Sequence, residues 1–91
     1  MTELIIRPEL KSFVERMELT LRENDNKLGL TYNCIDENLT KILRHVEEII
    51  NIRAYSGCYK RHPEGVIKPC IDIANYSLMI YLRALEYEDE S

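Results

Sequence analysis

Val66-Ile67-Lys68-Pro69-Cys70-Ile71-Asp72-Ile73-Ala74-Asn75-Tyr76-Ser77-Leu78-Met79-Ile80-Tyr81-Leu82-Arg83-Ala84-Leu85 is the last long apolar run of the chain. At helical spacing, Ile71, Ala74, Leu78, Leu82 and Leu85 form one apolar stripe, and Ile73, Tyr76, Ser77, Ile80 and Ala84 add a largely apolar flank. A helix patterned in this way requires cover on most sides. Lys68, Asp72, Asn75, Arg83 and Glu86 leave a narrow polar strip along one edge, interrupted by Met79. Asp72 therefore sits among apolar neighbours, where a carboxylate persists when it is paired, richly hydrogen-bonded or bound to a metal. Two readings follow. In one, Lys68 or Arg83 neutralises Asp72, the commoner arrangement; in the other, Asp72 belongs to a ligand site whose remaining members lie elsewhere in the chain.

Working outward, the composition frames one small domain. The 91 residues contain three glycines and three prolines, and evenly spaced short strands are lacking, so the expectation is an all-α fold. A net charge of −4 argues against a nucleic-acid binder held by phosphate contacts. No apolar run free of charged residues reaches the roughly 20 residues of a membrane span, and Met1 to Ile6 lacks the length and charge of a signal peptide, so no membrane partner and a cytoplasmic location are expected. Cys34, Cys58 and Cys70 are odd in number and too widely spaced for a zinc ribbon; they read as reduced packing residues.

Before the long run, two further amphipathic helices are expected. The first spans 7–24, opens at Pro8 and packs through Leu10, Phe13, Val14, Met17 and Leu21. Leu4-Ile5-Ile6 ahead of it either folds over the core or reaches a partner chain. Asn24 through Gly29 ends this helix, because its polar side chains compete for the backbone and Gly29 tolerates positive φ. The second helix spans 35–53, with Asp36 as a capping residue and an apolar stripe of Leu39, Ile42, Leu43, Val46, Ile49 and Ile50. Glu48 lies almost opposite that stripe and His45 one turn before it, a face that becomes a site only where another helix covers it. Residues 54–65 read as a loop carrying the basic cluster Lys60, Arg61 and His62, suited to phosphate or simply to solvent. The third helix spans 66–86, and the acidic tail 87–91 is expected to fray.

The order of these pieces resembles the MazG-like, all-α nucleoside triphosphate pyrophosphatases, particularly their short single-domain members. The resemblance is carried by Arg7-Pro8-Glu9-Leu10, Phe13, Met17-Glu18, Leu21 through Asp25, Lys27 and Gly29, then Leu39 through Ile49, and most specifically by Asp72-Ile73-Ala74-Asn75-Tyr76 with Met79. It implies a helical bundle assembled from more than one chain. It also implies carboxylate pairs on two successive helices that hold Mg²⁺ and, through it, a nucleoside triphosphate. The first pair falls on His45 and Glu48 and the second on Pro69 and Asp72, so only Glu48 and Asp72 match as carboxylates. Arg44 stands where a further acid is usual, and Leu30 where a tryptophan is common. Because imidazole suits Mn²⁺ or Zn²⁺ better than Mg²⁺, His45 shifts the expected metal preference.

From this follow two functional expectations. One is a nucleotide pyrophosphohydrolase-type protein with weak or lost turnover, in which Glu48 and Asp72 carry the metal with His45, Asn75 orients the nucleotide, and Lys27, Lys60 and Arg61 meet phosphate. The other is a non-catalytic helical dimer serving as a nucleotide sensor or interaction module. Both include a homo-oligomer, because three amphipathic helices of this length do not cover an apolar third helix by themselves.

Overall fold

Each helix begins and ends where local chemistry dictates. The computed structural model describes residues 3–24 and 29–90, apart from the side chains of residues 55 and 56. Helix α1 (Pro8–Glu23) starts at the proline, whose missing N–H is no loss in a first turn, and the Arg7 carbonyl accepts from Leu10 and Lys11 at 3.1 Å. Asn24 closes it: its backbone N–H and its Nδ2 both return to the Thr20 carbonyl. Helix α2 (Ile35–Ser56) is preceded by Cys34 as N-cap, so Asp36 lies inside the first turn rather than capping it. It ends at Gly57, whose φ of 73° supplies the left-handed C-cap and whose N–H reaches the Arg53 carbonyl at 2.9 Å.

A single 3-10 turn, Tyr59–Arg61, links α2 to helix α3 (Glu64–Glu90). The last helix starts earlier than its apolar run and passes through Pro69. It also continues through the acidic stretch where fraying was expected; Arg83 reaches Glu86 and Tyr87, three and four residues on, which ties the last turns together.

The described residues thus form an all-helical fold of three α-helices without strands. Among them no helix is long and apolar enough to cross a membrane. The main interface joins α2 to α3, and α1 lies more lightly on α3. Gly65 permits the close approach of the first pair, since a Cβ there would stand 2.5 Å from Ile52 Cδ1. Ile71, 5% exposed, is the buried centre, with Pro69, Asn75 and Asn38 around it. No disulfide joins the described cysteines, and Cys70 is exposed rather than packed.

The orientation of α2 differs from the simplest reading of its sequence. Asn38, Lys41, Ile42, His45, Ile49 and Ile52 turn inward, whereas Leu39, Leu43, Val46 and Ile50 remain exposed. Leu4 and Ile5 are also almost fully exposed and do not cover the core.

The accessible surface of 7603 Å² reflects this open arrangement. A compact monomer of 10.8 kDa would expose about 5500 Å², so each chain carries roughly 2000 Å² in excess. The radius of gyration, 15.6 Å against about 12 Å for a compact chain of this length, agrees.

Candidate functional site

The three helices enclose a cleft of about 1090 Å³. Arg16 and Glu23 enter from α1, Lys41 and His45 from α2, and Lys68, Asp72, Asn75 and Tyr76 from α3. Its lining carries both cations and carboxylates, which suits a polar ligand with anionic and hydrogen-bonding groups.

The residues at its floor follow from the polar strip of α3. Asp72 and Asn75 lie three apart and so share a face, and the inward turn of α2 brings His45 against them. The His45 Nδ1 stands 3.2 Å from Glu48 Oε2 and 3.9 Å from Asp72 Oδ2. Glu48 and Asp72 thus meet at one imidazole. The partner of Asp72 is His45, not Lys68 or Arg83; the Arg83 guanidinium is engaged with the Thr31 carbonyl, Glu86 and Tyr87.

Tyr76 and Lys41 complete this floor. The rings of His45 and Tyr76 stack with centroids 5.7 Å apart and planes inclined by 21°. The Lys41 ammonium lies 5.4 Å from the Tyr76 centroid, a cation–π position. Burial first, and then the negative charge of Asp72, hold the Tyr76 phenol above its ordinary pKa, against an opposing pull from Arg44.

Asn75 is 4% exposed. Its Nδ2 donates to the Met17 carbonyl of α1 at 3.3 Å, whereas its buried Oδ1 has no hydrogen-bond partner among the described residues. A buried acceptor without a partner is costly, and a ligand presenting an N–H or O–H donor would relieve it only if the helices part enough to expose the oxygen.

As a metal donor set, His45, Glu48 and Asp72 offer one imidazole nitrogen and two carboxylates, a combination favouring Mn²⁺ or Zn²⁺ over Mg²⁺. Among the described residues no three such side chains are already placed to hold an ion. A metal here would be held by His45 and Asp72, with the half-exposed Glu48 carboxylate as the third donor.

The remaining expected site residues are not gathered here. Lys60 and Arg61 are exposed on the 3-10 turn and do not line the cleft, and Lys27 lies outside the described residues. The sequence reading missed Lys41 and Tyr76. Their signal was present in the spacing, since Lys41, His45 and Glu48 follow successive turns on one side of α2. No family model matches the chain, and no curated protein or solved structure is significantly similar to it.

Proposed function

We propose that this cleft binds a nucleoside triphosphate or a closely related nucleotide, and that the protein is a MazG-like pyrophosphohydrolase-type binder with weak or lost hydrolysis. The observation that carries the reading is that Asp72, His45 and Asn75, whose Oδ1 has no partner among the described residues, line one cleft, with Glu48 reaching the same imidazole from outside the lining. Lys41, Lys68 and Arg16 are the cations available to phosphate there, and Asn75 Oδ1, buried in this structure, would accept from a sugar hydroxyl or a base N–H once the cleft opens beside it. A divalent ion, Mn²⁺ in preference to Mg²⁺, would polarise phosphoryl oxygen and lower the pKa of bound water. The residues around it would orient the triphosphate so that water adds at the α-phosphorus and pyrophosphate leaves, giving the monophosphate.

A second reading rests on the same His45. An imidazole standing between Glu48 and Asp72 occupies the space an ion would require, and Arg44 and Pro69 replace further carboxylates, as in a non-catalytic nucleotide sensor or interaction module. Both readings take the protein as a homo-oligomer, supported by the surface each chain leaves open. Pyrophosphate release from each common nucleoside triphosphate, with Mn²⁺ and with Mg²⁺, separates them: slow release abolished by Asp72→Asn supports the enzyme, and nucleotide binding without release supports the sensor. No binding and no release would remove the enzyme and the sensor and leave the interaction module.

A further inference from the structure

The outward face of α2 bears a pattern that specifies its own partner. Leu39, Leu43, Val46 and Ile50 are 45%, 63%, 37% and 56% exposed and recur at four, three and four residues, the spacing of a coiled-coil seam. The seam continues at the same spacing to Asp36 at the N-terminal end and Arg53 at the C-terminal end, both exposed. The cleft residues Lys41 and His45 lie on the other side of the helix, so cover on this face leaves the cleft open.

We propose that the occupant of this face is the same face of a second copy, with the two α2 helices antiparallel about a two-fold axis passing between Arg44 and His45. This deepens the homo-oligomer of the proposed function and does not depend on nucleotide. In that single register Leu39 meets Ile50 of the second copy, Leu43 meets Val46, and Asp36 meets Arg53, each contact occurring twice. All four apolar positions face apolar partners, and both charged ends face opposite charges. A parallel pair would set Asp36 against Asp36 and Arg53 against Arg53 and would align the helix dipoles.

The area agrees with this assignment. A standard interface removes about 800 Å² from each partner, and obligate homodimers remove more. The excess of roughly 2000 Å² per chain supplies that amount, with the α2 seam as its most regular apolar part. Half-covered Ile42 and Ile49 flank the seam and extend it.

The test is sedimentation equilibrium of the full chain, with far-ultraviolet circular dichroism to verify helicity. The parent protein should run as a dimer, and Leu43→Lys should weaken association at least about a hundredfold by placing ammonium groups at the centre of the seam. Asp36→Arg and Arg53→Asp should each weaken it by roughly tenfold, and the double variant should restore it, because the antiparallel register rebuilds both pairs. Insensitivity to the single charge changes would contradict the antiparallel register. A monomeric parent, or a dimer unaffected by Leu43→Lys, would overturn the seam altogether. Nucleotide titration of the same samples reads the cleft separately, so a dimer that binds no nucleotide refutes the functional reading and leaves this one standing.

Discussion

Asn75→Leu should make the protein more stable and abolish the nucleotide binding proposed for the cleft. The side chain is nearly isosteric with leucine and almost wholly buried. Its contribution to stability is one hydrogen bond to the Met17 carbonyl, at 3.3 Å a long one, near the lower end of about 0.5–1.5 kcal/mol. Against this stands the buried Oδ1 without a partner among the described residues, a desolvation cost of about 1–3 kcal/mol that leucine removes. The net expectation is a gain of about 0–2 kcal/mol, read from urea denaturation followed at 222 nm with protein concentration held fixed, since the proposed dimerisation would be linked to folding. Asn38→Leu serves as the control, because Asn38 is fully buried, has both polar side-chain atoms unpartnered among the described residues, and does not line the cleft. It should gain stability while leaving nucleotide binding unchanged. A loss of more than about 1 kcal/mol for Asn75→Leu would show that its oxygen is already satisfied, and the ligand-acceptor role would fall.

If Glu48, Asp72 and His45 accept a metal, Mn²⁺ should raise the melting temperature of the parent and Asp72→Asn should abolish that increase; with no metal the substitution should cost less than about 1 kcal/mol, whereas a larger loss with no metal response would mark Asp72 as a structural partner of His45. The raised Tyr76 phenol keeps its proton in the folded chain where the unfolded chain has released it, so its contribution is complete below pH 10 and is lost as pH rises above that value. Tyr76→Phe should therefore lose stability less steeply than the parent as pH rises above 10 in denaturation series, and equal slopes would contradict the assignment. Gly57→Ala should cost about 1 kcal/mol from its left-handed backbone alone, because nothing lies within 4 Å of an added Cβ; an unchanged unfolding midpoint would argue against that cap.

What could be read in advance was set by local chemistry. Pro8, Asn24 and the positive φ of Gly29 obey backbone rules that a sequence displays directly, and Asp72 and Asn75 stood out as polar groups on an otherwise apolar helix. The facing of α2 was not readable in the same way. Periodicity identifies an apolar stripe but not what covers it, and here the mixed face with Lys41 and His45 meets α3 while Leu39, Leu43, Val46 and Ile50 stay open. His45 gave little sign of its place for the same reason, since its role arises from an approach between helices rather than from its neighbours in sequence. The tail deceived through composition: acidic residues are unfavourable near a helix C-terminus, but the contacts of Arg83 hold the last turns in place.

Calorimetric titration of the protein with nucleoside triphosphates, in the presence and absence of Mn²⁺, addresses the central claim most directly. Saturable binding of one nucleotide per cleft is expected, strengthened by Mn²⁺, insensitive to Asn38→Leu and lost in Asn75→Leu. Absence of binding by a folded, helical sample with any of the common nucleoside triphosphates, with or without the metal, would contradict it.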